Sequence, residues 1–489
     1  MTGESLPAPL HLGCSWAEAG LGPGELTAAR AAVAPLAERL ALRAALAPYA
    51  PQAWSEEAAS APTLYLEDIS EIPFLVNILG VEEYQHRSRV RAGSGDLFAA
   101  VTPPTPGYAD YCREVLELGD PELLLPEPVG GPMEVARACG AGPTLRRVVE
   151  VARAAGRLGL HPYMGIEPVW ELARRVSHDA GVPVRVCAPP PPVTWIANDK
   201  SLLSEVVERV LGPALVVETH RSACPSELSR RLFSLCGRHA RAGLKRTRCA
   251  SGMGNIHFAL ADLTDLAACE ARVRAFLQGT EWDGREEVLV VAWEDTPTSP
   301  STQLWIPPLA AGPPRLDGIY EQLLEGAERV FLGSRPSQLP AAANRALAAA
   351  SLQVAAGLQA LGYVGRCSFD LLLLGAPEGE FQLRFTECNG RWGGTSTPMH
   401  LVDRLVRGPR PPYRAQDLQR DALVGATLDD VLRAVGDELY RPGRGGRFAF
   451  YNVNPLTPSG KLDVIAFGRC QAEAEDALLE DLPRLLGVA

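Results

Sequence analysis

The stretch that decides the fold is SFDLLLLGAPEGEFQLRFTECNGRWGGT, residues 368–395. Two apolar runs flank GAPEGE (375–380), whose Gly and Pro residues are typical of a turn, so the stretch predicts a β-hairpin. Glu387 and Asn389 are two residues apart and project from the same face of their strand. With GAPEGE as the turn, Asp370 lies opposite Glu387 or one residue from it.

Asp370, Glu387 and Asn389 then bring two carboxylates and one amide together. Mg²⁺ prefers such oxygen ligands and fills its remaining positions with water and substrate phosphates, so the set predicts a magnesium site. The alternative is an acidic pair on an exposed hairpin. Four apolar neighbours place the acids within a core and argue against that alternative: Phe369, Leu371, Leu373 and Phe385.

The residues after the hairpin, Gly390 to Thr395, supply a guanidinium and a flexible backbone. Arg391 shares the face of Glu387 and Asn389 if the strand continues. It would then hold a carboxylate or stabilise developing negative charge, and a structural salt bridge is the alternative. The Gly-Gly-Thr segment permits close approach of the backbone to a substrate.

Lysine is rare in this chain. Of the 47 basic residues only Lys200, Lys245 and Lys461 are lysines. A lysine retained against such a bias marks a position where a compact ammonium is needed. Lys245 precedes a loop, 251–254, whose Ser and Gly residues can fold N–H groups over phosphate oxygens, with a plain turn as the alternative. Lys461, in a TPSGK turn, has the least support for a role.

Bulk composition excludes several functions. A length of 489 residues predicts about three domains. The net charge of −11 argues against nucleic acid or an anionic membrane as the main partner. The first residues lack a basic and an apolar export region, and the eleven cysteines contain no CxxC pair. We therefore expect reduced thiols and a cytoplasmic protein.

The order of apolar segments predicts an α/β protein. Residues 1–60 form a helical extension, and short strands alternate with helices over 61–192, which is typical of a largely parallel sheet. APPPPV (188–193) predicts a stiff polyproline break and a domain boundary. ALVVE (214–218) and NIHFAL (255–260) are predicted strands. The N-terminal region lacks the glycine fingerprint that an NAD-linked oxidoreductase needs.

These motifs resemble the ATP-grasp superfamily, and within it the PGM1-type peptide ligases, in their order and setting. The resemblance extends over about residues 60–489, and it is tightest from 245 to 400. It implies a pre-ATP-grasp α/β domain followed by an ATP-grasp fold of two subdomains, 193–290 and 291–408, and a C-terminal cap, 409–489. The family's Glu-Ile-Asn-Leu-Arg is Glu-Cys-Asn-Gly-Arg here, a departure that leaves the metal ligands in place.

The resemblance also implies the site. Asp370, Glu387 and Asn389 would bind two Mg²⁺ ions, and Arg366 and Arg391 would stabilise the oxyanion of a tetrahedral intermediate. The residues that would bind ATP are Lys200, Lys245, Ser251, Gly252, Gly254, Val291, Ala292 and Glu294.

The implied reaction joins a carboxylate, activated as an acyl phosphate, to an amine, with ADP and phosphate as products. The implied substrates are small molecules or peptides, in a secondary-metabolite pathway, and a homodimer is expected. The alternatives are thioester formation or phosphoryl transfer on the same scaffold, and a non-catalytic nucleotide-binding scaffold.

Overall fold

The computed structural model describes residues 10–55, 60–73, 80–248, 254–294, 296, 298–326 and 330–488. Its ten described cysteines form no disulfide. None of the described helices is long and apolar enough to cross a membrane.

The N-terminal part is a five-stranded parallel sheet preceded by short helices. Its strand order is β3-β2-β1-β4-β5, and every pairing is parallel, as the alternation of strands and helices predicted. The strands are short apolar runs covered by helices on both faces, which is usual for parallel sheets. The elements are α1 (Pro23–Ala32), α2 (Ala34–Arg39), α3 (Leu42–Leu46), β1 (Thr63–Leu66), β2 (Leu97–Ala99), α4 (Tyr108–Asp110), β3 (Glu122–Leu124), α5 (Val135–Cys139), α6 (Gly142–Ala155), β4 (Leu158–Pro162), α7 (Glu167–Ala180) and β5 (Val184–Val186).

A four-stranded antiparallel sheet with two covering helices follows. Its order is β6-β9-β7-β8, and α10 and α11 pack on it around Leu232, Val273 and Val290. The elements are α8 (Pro191–Asn198), α9 (Lys200–Leu211), β6 (Thr219–Ser222), α10 (Pro225–Leu235), β7 (Arg241–Arg246), β8 (Asn255–Ala259), α11 (Leu266–Gly279) and β9 (Val288–Ala292).

Two local predictions in this part are wrong. The prolines at 191–192 do not form a polyproline break, because they are the first turn of α8, where a missing N–H costs no hydrogen bond. The predicted strand 214–218 is instead a turn of 3₁₀ helix, Pro213–Leu215, and the strand begins at Thr219. The predicted strand at 255–260 is confirmed as β8.

The largest element is an eight-stranded antiparallel sheet in the order β14-β13-β10-β11-β12-β15-β17-β16. It contains the predicted hairpin. The elements are β10 (Pro300–Ile306), β11 (Arg315–Glu325), β12 (Val330–Pro336), α12 (Ala341–Ala360), β13 (Gly365–Gly375), β14 (Phe381–Asn389), α13 (Ser396–Leu405), β15 (Tyr413–Gln419), α14 (Leu428–Val435), β16 (Phe448–Asn452), α15 (Leu456–Ser459), β17 (Lys461–Phe467), α16 (Gln471–Asp476) and α17 (Leu482–Leu485).

The two faces of this sheet differ. On the outer face, Leu304, Cys367 and Phe369 pack on the Ala-rich α12, and Thr302 and Ser351 join strand to helix by a hydroxyl–hydroxyl hydrogen bond of 2.9 Å. The inner face carries Asp370 and its neighbours and, farther along, packs on α13 in a second core. The predicted α/β class is confirmed, and the polar residues of the hairpin lie on the inner face.

Candidate active site

The predicted acid set is brought together on the inner face. Asp370 pairs directly with Glu387 across β13 and β14, and Asn389 donates from Nδ2 to Asp370 Oδ2 at 3.0 Å. Ser301, opposite Asp370 on β10, donates from its hydroxyl to Oδ1 at 2.7 Å. Cys388, between the two β14 residues, faces the core on the other side and is 5% exposed, as its position in the strand predicted.

The two carboxyl groups perturb each other. Burial, and next the negative charge of Glu387, raises the pKa of Asp370 to about 7. Burial alone would raise the pKa of Glu387, but the charges of Lys200, Lys245 and Arg391 lower it. The pair therefore has one carboxyl that resists ionisation and one held ionised by three cationic side chains. A divalent cation between them would relieve this repulsion, so the donor set fits Mg²⁺.

Lys200 lies at the first turn of α9 and reaches this pair. It is 5% exposed, and its Nζ lies 3.3 Å from Glu387 Oε2. Asp199 caps the helix by accepting from the N–H groups of Ser201 and Leu202. Arg248 donates to the same Asp199 carboxylate at 3.1 Å, and Lys200 N–H donates to Thr247 at 3.0 Å. The helix start is thereby fixed to the chain that enters the glycine loop.

Lys245 lies on β7 and points to the same region from the opposite sheet. Its Nζ lies 5.0 Å above the centre of the Trp293 indole, which also packs on His257 at 4.4 Å. Gly254 immediately precedes β8, and its carbonyl accepts from Arg246 N–H at 2.9 Å. Ser251 and Gly252 lie outside the described residues. Lys200 contacts Glu387, and the charge of Lys245, from a separate element, also lowers the pKa of this carboxyl.

The predicted adenine-contacting strand is β9, which lies between β6 and β7 in its sheet. Val291 pairs with Thr219 on one side and Gly243 on the other, so it presents no free strand edge. Ala292 N–H donates to Glu218 at 2.9 Å and Trp293 N–H to Arg241 at 3.1 Å. The N–H groups of Ala292 and Trp293 are therefore bonded within the protein, and contact of the adenine with main-chain groups near Val291 and Ala292 stays a prediction. Glu294, beyond the strand, stays a candidate for the ribose.

Arg391 lies just past β14 and is held by Asn198, a residue that the sequence did not single out. Arg391 Nη1 donates to Asn198 Oδ1 at 3.1 Å, and the same oxygen accepts from Gly390 N–H at 3.0 Å. Arg391 Nε is buried without a hydrogen-bond partner. Asn198, at the end of α8, therefore fixes the direction of the Arg391 guanidinium towards the acid pair.

Arg366 is placed differently. It is four residues from Asp370 along β13, a separation of about 13 Å at strand spacing. Its guanidinium forms a buried ion pair with Asp317 and lies 5.4 Å from the Trp392 ring. These contacts give Arg366 a structural partner, and they do not bring it together with Asp370 and Glu387. The oxyanion role stays a prediction for both arginines, and of the two only the charge of Arg391 acts on Glu387.

A second carboxylate set on the same sheet was missed by the sequence reasoning. Asp417 and Asp463 pair directly across β15 and β17, and Asn452 donates to Asp463 at 3.1 Å. Lys461 Nζ lies 2.6 Å from Asp417 Oδ2 and 2.6 Å from the hydroxyl of Tyr84. The third lysine of the chain is therefore not incidental; the rarity of lysine was the only signal for it.

Register places both sets on the inner face. Residues directly opposite in a ladder share a face, and so do residues two apart in one strand. Asp370 pairs with Ser301 and Ser301 with Tyr320. Gln322, two residues on, pairs with Ser334, which pairs with Ala415; Asp417 is two residues beyond. The sheet thus presents two carboxylate pairs on one side.

Comparison with known proteins shows the fold and leaves the reaction open. No family model and no curated protein matches the chain. Among solved structures, the ADP complex of the N5-carboxyaminoimidazole ribonucleotide synthetase PurK aligns with a TM-score of 0.51 at 11% identity, covering 88% of this chain and 97% of that one.

Two biotin carboxylases align in the same way. The biotin carboxylase domain of Hydrogenobacter thermophilus 2-oxoglutarate carboxylase, with MgADP, ADP and bicarbonate, has a TM-score of 0.51 at 12% identity over 87% of this chain and 93% of that one. The Campylobacter jejuni biotin carboxylase complex with β,γ-ATP has a TM-score of 0.50 at 12% identity over 86% and 90%. At such identities the likeness establishes the architecture alone.

Proposed function

We propose that this chain, whose fold is that of the ATP-grasp superfamily, is an ATP-dependent ligase that joins a carboxylic acid to an amine. The observation that carries the proposal is the convergence of Lys200 and Lys245, from two different elements, on the Asp370–Glu387 pair. A structural ion pair needs one cation for one carboxylate. Here three cations surround a carboxylate that is 37% exposed and opposed by another acid.

The nucleotide would lie between the four-stranded sheet and the inner face of the eight-stranded sheet. The ammonium groups of Lys200 and Lys245 would bind the phosphates, because a compact ammonium can donate to phosphate oxygens in several orientations. The indole of Trp293, past the end of β9, offers an apolar wall for the base. Glu294 would be the nearest main-chain donor beyond the sheet, because Ala292 and Trp293 already donate within the protein.

Mg²⁺ bound to Asp370, Glu387 and Asn389 would neutralise charge on the β- and γ-phosphates. Ser301 and Asn389 Nδ2 would keep the Asp370 carboxylate oriented by their hydrogen bonds to Oδ1 and Oδ2, and Asn389 would offer its amide oxygen to the metal beside the two carboxylates. Both carboxylates would thus be ionised in the loaded enzyme, although burial and mutual repulsion oppose this in the metal-free protein.

The acid substrate would lie beside Arg391. A small cavity there separates the N-terminal domain from α8 and β14, and its lining combines apolar and cationic side chains: Ile72, Pro73, Met164, Trp195, Asn198, Arg248 and Arg391. In the reaction, a carboxylate oxygen attacks the γ-phosphorus and ADP leaves. The amine then attacks the acyl carbon, loses a proton, and phosphate leaves. Arg391, with its unpartnered Nε, would stabilise the oxyanion between these events.

The finer reading is a peptide ligase of the PGM1 type. Its support is the sequence resemblance from 245 to 400, together with the contact of Lys200 with Glu387. On this reading both substrates are amino acids or peptides. The cytoplasmic location and the homodimer stay predictions.

The test is release of ADP and phosphate from purified protein with Mg·ATP, screened against acids and amines in pairs. We expect turnover that needs both an acid and an amine and that is lost in Glu387→Gln. Glu150→Gln, on an exposed helix face, is the matched control and should turn over normally. Turnover with the acid alone would indicate phosphoryl transfer. Binding of ATP without turnover on any pair would favour the non-catalytic scaffold.

A further inference from the structure

A cavity outside the proposed reaction centre lies on the eight-stranded sheet. It has a volume of about 520 Å³, and its lining includes Glu321, Leu323, Arg335 and Arg414. Ser301 and Tyr320 face inwards, so Glu321 and Leu323 alternate to the outer face, and Arg335 pairs with Glu321. The cavity is therefore on the outer face of β11, β12 and β15, beyond the start of α12.

Arg414 gives this outer-face cavity its chemical character. The residue is 8% exposed, and its guanidinium donates from Nε and Nη2 to the amide oxygen of Gln416, at 2.9 and 2.5 Å. No carboxylate of the described residues lies within 4.0 Å of it. Burial lowers the pKa of Arg414, Glu475 partly offsets this, and the charge of Arg335 adds to the lowering. A desolvated guanidinium with only a neutral acceptor is costly unless an anion joins it.

The neighbouring charges are already paired. Arg335 forms ion pairs with both Glu321 and Glu475. Glu321 also accepts from Gln338 N–H at 2.7 Å, and Glu475 from Gln471 at 3.3 Å. These two carboxylates are therefore committed to other donors. The two carboxylates and the guanidinium groups of Arg335 and Arg414 balance in charge, so a dianion such as a phosphate monoester would be repelled more strongly than a monoanion.

The rest of the lining is divided between apolar and polar side chains. Four leucines line the cavity together with three hydroxyl and amide side chains: Leu323, Leu324, Leu332, Leu339, Thr298, Ser299 and Gln322. A volume of about 520 Å³ lies within the range of small-molecule sites. An apolar body with one charged end matches this division.

We propose that the outer-face cavity is a binding site for a small organic monocarboxylate with an apolar body, whose carboxylate is held by Arg414. The guanidinium fork of Arg414 is suited to a planar carboxylate in two parallel hydrogen bonds. The site is separate from the cleft of Lys200 and Glu387 and does not depend on the proposed ligase reaction.

Isothermal titration of the full chain with three probes of equal length tests the proposal: hexanoate, hexanamide and hexyl phosphate. We expect hexanoate to bind once per chain, and hexanamide and hexyl phosphate to bind at least about tenfold more weakly, the loss of roughly one charged hydrogen-bonded contact. Equal affinity for hexanoate and hexanamide would overturn the proposal, and so would the absence of hexanoate binding up to about 50 mM, well beyond millimolar affinity.

Two variants locate the site. Arg414→Gln should lose hexanoate binding by at least about tenfold, whereas Arg147→Gln, an exposed arginine of the N-terminal domain, should not. Arg391→Gln separates the cavity from the reaction cleft. If Arg391→Gln abolishes binding and Arg414→Gln does not, hexanoate occupies the reaction cleft and the inference is wrong. Should Arg414→Gln fail to fold, hexanoate binding that is retained in Arg391→Gln supports the inference, and binding that is lost there overturns it.

Discussion

The eight-stranded sheet presents two carboxylate sets that look alike in chemistry and differ in surroundings. Each has two directly paired acids and an asparagine: Asp370, Glu387 and Asn389 at one end, Asp417, Asp463 and Asn452 at the other. Each also has a lysine, one of only three in the chain. The first set keeps part of the Glu387 side chain exposed. The second is covered by Tyr84, from the 3₁₀ helix Val81–Val90 of the N-terminal part.

Access determines what each set can do. Glu387 is 37% exposed and has cations on several sides, so a phosphate-bound metal can reach it. Asp463 is 7% exposed, and the ammonium of Lys461 already occupies the position between Asp417 and the N-terminal part. The same donor types therefore make a candidate metal site in one place and, in the other, a set of internal contacts that joins two segments of the chain, which we call the clasp.

The largest expected difference between the sets is in turnover. Glu387→Gln should reduce ADP release by about 10³-fold, because a metal ligand and phosphate clamp is lost. Asp463→Asn, an equally conservative change, should leave turnover within about threefold. Initial rates of ADP release per folded chain measure both. Equal losses in the two variants would mean that the second set takes part in the reaction.

A substitution of Asn198 tests whether Arg391, beside the first set, must be held in a fixed direction. Asn198→Ala removes the oxygen that accepts from Gly390 and Arg391, so the guanidinium loses its fixed direction. We expect kcat to fall about tenfold with a smaller change in KM for ATP, since the lost interaction acts on developing charge. Asn198→Asp keeps the acceptor and should retain more activity than Asn198→Ala. An equal loss in both variants would exclude this positioning role.

A substitution of Lys461 tests how much the second set contributes to stability. Lys461→Met leaves Asp417 and Asp463 without their cation and should lower the free energy of unfolding by about 1–3 kcal/mol. This loss is smaller than the loss on breaking a fully buried ion pair, because Asp417 is 31% exposed. Arg469→Met, at an exposed ion pair, should change it by less than about 0.5 kcal/mol. Urea unfolding of both variants is the measurement. Similar losses in the free energy of unfolding would show that the contacts of Lys461 stabilise the fold no more than an exposed ion pair does.

The pH dependence of stability gives the smallest expected effect. Burial, and next the charge of Asp417, raises the pKa of Asp463 to about 6. The unfolded chain loses this proton near pH 4, so the folded state binds more protons between about pH 4 and 6. The contribution of Asp463 to stability is therefore present at low pH and lost as pH rises through that window. Asp463→Asn should remove this slope, and an unchanged slope would assign it to another group.

The pairing of the acids in the first set could be predicted from the sequence, and the pairing in the second set could not. Strand alternation and a turn with Gly and Pro place Asp370 opposite Glu387 within one hairpin, so local spacing determines the contact. Asp417 and Asp463 come from strands separated by α14, β16 and α15, and Tyr84 from the N-terminal part, so no local spacing relates them. Asn198 was missed for the same reason: it meets Gly390 and Arg391 from 192 and 193 residues away.

The wrong local predictions have physical causes as well. Proline suits both a polyproline segment and the first turn of a helix, and the apolar residues that follow at 193–197 favour α8. The run 214–218 is apolar enough for a strand, but Pro213 and the tertiary context begin it with a 3₁₀ turn. The sequence also does not show that β9, which carries the predicted adenine contacts, has a partner strand on each side.

The central claim is that the first carboxylate set, and not the second, binds metal and nucleotide. Titration of the wild-type chain with Mg²⁺ and a non-hydrolysable ATP analogue tests it without knowledge of the substrates. The account predicts one nucleotide per chain, a loss of about 100-fold in affinity for Asp370→Asn with Glu387→Gln, and little change for Asp417→Asn with Asp463→Asn. Unchanged binding in the first double variant, or a comparable loss in the second, would contradict it.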